Sequence, residues 1–199
     1  MSPTTTATPT RQPHPTTLPD GHRWWRVADE AWDDPLDPTW ADRVGGRWNT
    51  PGDGPTLYLN HDVETARAQI SRLLDGSPID PEDLRDDAPY VLVPVALPSR
   101  QRVADATTDT GLVALGLPRT YPLTSRGHGV RWAPCRAAAR TSRSAGLRGI
   151  LARSAAMPDG RELAWFPARG AQGRLDGAVL AFAQWRYGMP QGSSVDLDS

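Results

Sequence analysis

Apolar and polar positions along the chain follow two different spacings, which predicts a mixture of helices and strands. One stretch, residues 62–74, has helical spacing and opens with Asp62, a residue type that caps helices. Its apolar positions fall on one face: Val63, Ala66, Ile70, Leu73 and Leu74. A longer helix is predicted over 131–145, closed by Gly146, and a short one over 111–115.

Short apolar runs bounded by Pro, Gly and Asp predict the strands. They lie at residues 24–27, 56–59, 90–97, 103–107, 148–152, 162–166 and 178–182. Pro94 inside the third run predicts an edge position or a bulge, because proline cannot donate to a ladder. The strands and helices alternate without a regular βαβ pattern, so the fold class predicted is α+β rather than a doubly wound sheet.

The ends of the chain differ in composition from its middle. Residues 1–20 are rich in Pro and Thr, which predicts a disordered tail, and residues 188–199 resemble a second flexible end. The intervening residues 21–187 are expected to form one domain, since a chain of 199 residues suits a single hydrophobic core.

Charge and cysteine content narrow the classes of function. The net charge of −1 argues against direct nucleic-acid or membrane-surface binding through bulk electrostatics. A single cysteine, Cys135, excludes an internal disulfide and favours a cytoplasmic location. The four histidines show no spacing typical of a metal site. No apolar run approaches the length of a membrane span.

The segment that combines glycine, arginine and aromatic residues is the candidate for chemistry. It reads Gly45-Gly46-Arg47-Trp48-Asn49 and is followed by Tyr58 in a predicted strand. A guanidinium such as Arg47 can hold a diphosphate through parallel charge-assisted bonds, and glycine lets the backbone approach a ligand. Tyr58 or Trp48 could stack on a flat ring. Both aromatic residues could equally belong to the core.

These residues resemble the RES domain family. The similarity includes the G-G-R-W-N stretch, the Tyr58 strand, the E-T-A run at 64–66 and the G-L-R-G-I-L-A-R-S stretch at 146–154. The resemblance implies an ADP-ribosyltransferase-like fold, with a mixed β-sheet core and flanking helices. It also implies that NAD is a substrate rather than a cofactor, and that water or phosphate cleaves its nicotinamide–ribose bond. Many members are toxins paired with a DNA-binding antitoxin, so an Xre-type antitoxin is the implied partner.

The resemblance also assigns roles to individual residues. Arg47 and Arg26 would hold the phosphates, Tyr58 would pack on the nicotinamide or its ribose, and Ser154 would orient the reacting sugar. The rest of the binding segment is then Gly46, Trp48 and Asn49. For Ser154, the capping of a turn is an equally open interpretation.

One position departs from the family pattern. The register E-x-A-x-x-E places Gln69 where the family carries a catalytic glutamate. Glutamine keeps the shape but lacks the negative charge, and loss of one electrostatic stabiliser costs about 2.7–4 kcal/mol. Glu64, which the helical period turns away from the apolar stripe, and Glu162 are the other candidate acids. The alternatives are therefore a weakened NAD-consuming enzyme, a non-catalytic binding module, or a domain that keeps only the scaffold.

Overall fold

The structure is a computed structural model that describes residues 12–74 and 83–187. Its strands are β1 (Pro15–Thr17), β2 (Trp24–Asp29), β3 (Leu57–Asn60), β4 (Tyr90–Ala96), β5 (Arg102–Ala106), β6 (Gly149–Arg153), β7 (Arg161–Trp165), β8 (Arg174–Leu175) and β9 (Leu180–Ala181). Its helices are α1 (Thr39–Val44), α2 (Val63–Leu73), α3 (Asp109–Leu115), α4 (Trp132–Ser144) and α5 (Phe182–Trp185).

The described strands join into one mixed sheet. Their order is β1-β5-β6-β7-β3-β2-β4-β8, and β9 also pairs with β4. The β5–β6 pair is parallel and the other pairs are antiparallel. The predicted α+β class with a mixed sheet and flanking helices is therefore confirmed.

Helices cover the face of the sheet that carries Tyr58 and Trp25. Under α4, the small residues Cys135, Ala138 and Ala139 pack in the same core as Ile150. Under α2, a second core holds three residues of the predicted apolar stripe, namely Val63, Ala66 and Ile70. The opposite face buries a third cluster, which contains Trp24, Leu57, Leu59, Val93, Leu163 and Trp165. Because both faces of the sheet are mainly apolar, polar side chains on them are candidates for a functional site.

Most of the elements predicted from periodicity are present, and the structure explains how strand β4 accommodates Pro94. Asp62 is the N-cap of α2 and accepts a hydrogen bond from Thr65 N. Pro94 lies on β4 between the short partners β8 and β9, and its carbonyl accepts the Asp176 N–H. Because the carbonyl and the missing N–H point to the same side, the gap between β8 and β9 tolerates proline.

Three segments differ from the expectation. Part of the predicted tail is in the fold, since β1 pairs with β5 and Leu18 is buried. Helix α1 follows the predicted loop over 33–38, and the predicted strand at 178–182 shortens to β9 before α5 begins. These short elements depend on long-range partners, which local propensity does not show. The predicted tails at 1–11 and 188–199 lie outside the described residues.

Candidate active site

A small cavity of about 180 Å³ lies between α2 and strands β3 and β7. It is lined by Arg47, Tyr58, Leu59, Asn60, Gln69, Arg72, Leu73, Ala155, Ala156 and Glu162. Strand pairing explains the convergence: Asn60 is opposite Glu162, and Tyr58 is opposite Ala164, so all four side chains share one face. The structure thus brings Arg47, Tyr58 and Gln69 together, as the sequence predicts.

Arg47 reaches this cavity from the loop between α1 and β3. Its Nη1 donates to the carbonyl of Val130 at 3.3 Å, and the side chain is half-buried. The preceding Gly46 is packed against Tyr58. A Cβ on Gly46 would meet the Tyr58 hydroxyl and lie 2.9 Å from Tyr58 Cζ. The glycine therefore permits the loop to approach the tyrosine and to present Arg47.

The Tyr58 hydroxyl is fixed by the same loop. It donates to Asn49 Oδ1 at 2.7 Å and accepts from the Trp48 N–H at 2.9 Å. Desolvation raises the pKa of Tyr58 to about 12. The phenol is neutral at physiological pH and is poorly suited to act as a base. Its ring, in contrast, lines the cavity and can contact a ligand.

Trp48 and Asn49 support the site and do not line the cavity. Trp48 is 1% exposed and packs in the core against Tyr121, with ring centroids 5.7 Å apart. Asn49 is fully buried and donates to the carbonyl of Ala41 in α1. The expectation that Trp48 stacks on a nicotinamide is wrong, because its indole is inside the core. The alternative, in which it is a core residue, describes the structure.

Arg26 is not brought to this cavity. Trp25 is paired with Asn60, so strand alternation turns Arg26 to the opposite face of the sheet from Tyr58. It lines a separate cavity of about 380 Å³, where its guanidinium lies 5.5 Å from the Trp32 ring centroid. Burial lowers the pKa of Arg26 to about 10, which still leaves it cationic at neutral pH. The predicted pairing of Arg26 with Arg47 on one diphosphate is therefore wrong.

Gln69 projects from α2 into the cavity, and Glu64 does not. Asn60 Nδ2 donates to Gln69 Oε1 at 2.7 Å, so two neutral amides lie side by side. The Glu64 side chain is 61% exposed and lies 3.6 Å from Arg67 Nη1. The helical period thus placed both residues correctly. Leu73, predicted as part of the buried stripe, is instead 56% exposed and lies at the cavity.

Ser154 holds a carboxylate in place. The residue is 3% exposed, and its hydroxyl donates to Glu162 Oε1 at 2.6 Å. The same Oε1 accepts the Ala155 N–H at 2.9 Å. Ser154 Oγ also accepts the N–H groups of Ala156 at 3.0 Å and Met157 at 3.3 Å, so it caps a turn as well. Ser154 therefore acts on the cavity through Glu162.

The sequence offers Glu162 only as a secondary candidate acid, after the position of Gln69. Among the described residues that line the cavity, it is the one that carries a carboxylate. Strand alternation places Glu162 opposite in direction to the buried Leu163, which is a weak signal. Its proximity to Asn60 and Gln69 depends on pairing between β3 and β7, which a single sequence does not reveal.

A second cavity of about 560 Å³ adjoins the first and shares Ala155 and Ala156 with it. Its other lining residues are Thr107, Thr108, Thr120, Pro122, Leu123, Arg153, Ser154, Met157, Pro158, Asp159, Gly160 and Arg161. Ligand sites usually have volumes of about 300–1,000 Å³, so the smaller cavity alone suits only one end of a dinucleotide. The second cavity by itself falls within that range.

The described residues contain neither a candidate metal cluster nor a candidate membrane-spanning helix. No cluster of three or more His, Cys, Asp or Glu side chains there could hold a metal ion. None of the helices in 12–74 and 83–187 has the length and apolar character that crossing a bilayer requires.

Comparisons with known proteins concern the family and the fold. The family model of the RES domain matches residues 23–188. Among solved structures, a chain of the M. tuberculosis MbcT–MbcA toxin–antitoxin complex superposes with a TM-score of 0.68. It is 24% identical, and the match covers 86% of this chain and 92% of that chain, which shows a shared fold. The comparison with curated proteins found no match.

Proposed function

The chain belongs to the RES domain family, and on that premise we propose that it is a toxin-type enzyme that consumes NAD. In this proposal it cleaves the bond between nicotinamide and ribose, with water or phosphate as the acceptor. The observation that carries the proposal is the convergence of Arg47, Tyr58 and Glu162 on one cavity. Each supplies a property that the reaction needs.

Arg47 and Tyr58 would bind and orient the substrate. Arg47 offers a cationic fork for a phosphate of NAD. The Tyr58 ring has a fixed orientation because its hydroxyl is bonded to Asn49 and Trp48, and it can pack on the flat nicotinamide or on its ribose. Preorganised contacts of this kind lower the entropic cost of reaching the reactive geometry.

The chemical step moves positive charge from the nicotinamide ring to the ribose, where the site can stabilise it. The bond between ribose C1 and the nicotinamide nitrogen breaks, and its electron pair leaves with the ring, which becomes neutral. The sugar then carries positive charge until an oxygen of water or phosphate bonds to C1 and releases its proton. A nearby anion stabilises such an oxocarbenium-like state.

A second candidate function is a binding module without turnover. The observation that favours it is the Asn60–Gln69 amide pair, which places neutral groups where the family has an acid. Amides can hydrogen-bond the hydroxyl groups of a ribose but cannot stabilise its positive charge. Such a domain would retain NAD or ADP-ribose without cleaving it.

Purified protein with saturating NAD separates these functions. The enzyme releases nicotinamide slowly, and Gln69→Glu, which keeps the bond from Asn60, releases it faster. Calorimetry on the same samples measures NAD binding, and Arg47→Ala is expected to weaken it. Tight binding with no nicotinamide from either protein would support the binding module. Absence of any NAD binding would leave only a shared scaffold.

A protein partner belongs to the proposal as well. One solved relative comes from a toxin–antitoxin complex, and the partner proposed for this chain is an Xre-type antitoxin. Such pairing would restrain an activity that depletes NAD in the cytoplasm. Water and phosphate as acceptors are distinguished by the product, which is ADP-ribose in the first case and its phosphorylated form in the second.

A further inference from the structure

The proposed reaction needs an anion near the ribose, and the helix position that usually provides it is neutral here. Gln69 is an amide, and it is bonded to another amide, Asn60, at 2.7 Å. Two arginines, Arg47 and Arg72, also line the cavity. Without a carboxylate the described lining would lack an anion to stabilise the positive charge that forms on the sugar.

We propose that Glu162 is the catalytic carboxylate, so that the acid of this site comes from strand β7 instead of helix α2. This inference rests on the proposed function. Glu162 is the direct strand partner of Asn60, and Asn60 is bonded to Gln69. The Glu162 carboxylate therefore reaches the cavity from strand β7, beside Asn60, which contacts the Gln69 amide.

The geometry around Glu162 is that of an oriented carboxylate. Oε1 accepts the Ser154 hydroxyl at 2.6 Å and the Ala155 N–H at 2.9 Å. Ser154 Oγ receives two N–H groups of its own turn, so its proton is directed to Glu162. Both contacts engage Oε1, and Oε2 is the oxygen assigned to the ribose. Charged hydrogen bonds of this length restrict the rotamers of the side chain.

The roles of the three polar residues follow from this arrangement. Glu162 stabilises the positive ribose electrostatically and forms no covalent bond to it. The electron pair leaves with nicotinamide, and the acceptor's proton goes to solvent. Gln69 and Asn60 hydrogen-bond ribose hydroxyls. Ser154 is a positioning residue, because it touches the carboxylate and is itself buried.

A double-mutant cycle on nicotinamide release tests the assignment. The four proteins are the wild type, Glu162→Gln, Gln69→Glu and the double variant that combines both. Glu162→Gln keeps an oxygen for Ser154 and is expected to slow turnover by roughly a hundred- to a thousandfold with little change in NAD affinity. Adding Gln69→Glu is expected to accelerate the Glu162→Gln protein far more than it accelerates the wild type, since one anion then replaces the other.

The matched control is Glu64→Gln, which removes an exposed charge from α2 outside the cavity. It should leave the rate unchanged. Ser154→Ala should lower kcat in the wild type but have no further effect once Glu162 is glutamine, a coupling that a purely structural role would not produce.

Two results would overturn the inference in different ways. An active wild type with an equally active Glu162→Gln protein would remove Glu162 from the mechanism and leave the proposed function intact. A wild type that binds NAD but releases no nicotinamide would refute both. Equal acceleration by Gln69→Glu with and without Glu162 would also contradict the assignment, because the two positions would then act independently.

Discussion

At the level of single residues, most of the G-G-R-W-N stretch supports Tyr58, and its Arg47 lines the cavity. Gly46 allows close packing on the phenol, Asn49 and the Trp48 N–H hold its hydroxyl, and Arg47 projects into the cavity. One tyrosine therefore couples the stability of the loop to the shape of the site. This coupling gives a residue-scale prediction.

Tyr58→Phe keeps the ring but removes the hydroxyl, which leaves Asn49 Oδ1 and the Trp48 N–H without this partner. The free energy of unfolding is expected to fall by about 1–3 kcal/mol, the cost of unpaired buried polar groups. Urea unfolding measures it. Tyr187→Phe is the control, because Tyr187 is 79% exposed, and it should leave the stability unchanged. Equal stability of both variants would contradict the proposed support role.

The same residue makes stability depend on pH in the alkaline range. Burial raises the pKa of Tyr58 from 10.0 to about 12, so the unfolded chain loses this proton at lower pH than the folded protein. The stabilisation that this pKa difference adds to the folded protein is complete below about pH 10. It is lost as the pH rises from about 10 to about 12. The wild type should therefore lose more stability over this range than Tyr58→Phe does.

At the level of elements, helix α2 joins core and site. It buries Val63, Ala66 and Ile70 on one side and presents Gln69 to the cavity on another. Its start is set by Asp62, whose Oδ1 accepts the Thr65 N–H at 2.7 Å. Desolvation acts to raise the pKa of Asp62, but hydrogen bonds from Thr65 outweigh it and the net pKa is lowered.

Asp62→Ala removes this cap and is expected to lower the free energy of unfolding by about 0.5–2 kcal/mol at neutral pH. Because the folded-state pKa of Asp62 is lowered, its contribution is present at neutral pH and is lost as the pH falls through that value. The difference between wild type and variant should shrink in acid. Glu30→Ala, an exposed acid outside the helices, is the control. A difference that persists unchanged at low pH would contradict the capping role.

At the scale of the whole molecule, strand pairing in the sheet brings the residues of the site together. Pairing of β3 with β7 brings residues from two distant parts of the chain, 47–73 and 155–162, to one cavity. Edge pairing by β1 extends the ordered fold beyond the predicted boundary at residue 20. Membership of the RES domain family underlies the toxin-type proposal, which predicts a cellular effect.

Under the proposed function, expression of the chain in a bacterial host is expected to lower cellular NAD and to slow growth, because each turnover consumes one NAD. Gln69→Glu should deepen the effect, and Arg47→Ala should abolish it at equal protein level. NAD assays on extracts and growth curves measure both. Co-expression of a cognate Xre-type protein should restore growth. Growth arrest that is the same for Arg47→Ala would show that NAD consumption is not its cause.

The sequence by itself determined much of the local structure. Helical spacing predicted α2, its cap and the direction of Gln69, and alternation with turn residues predicted most of the strands. The G-G-R-W-N stretch indicated the family before any fold was known. These features depend on neighbours within a few residues, so local stereochemistry is sufficient to reveal them.

Only the tertiary structure decided which side chains meet. The pairing of Trp25 with Asn60 turned Arg26 away from Tyr58, and the pairing of Asn60 with Glu162 brought a carboxylate beside Gln69. A shift of one residue in either register would have reversed the outcome that depends on that strand pair. Register between strands that are distant in the chain is set by the packing of the whole sheet, and no local pattern encodes it.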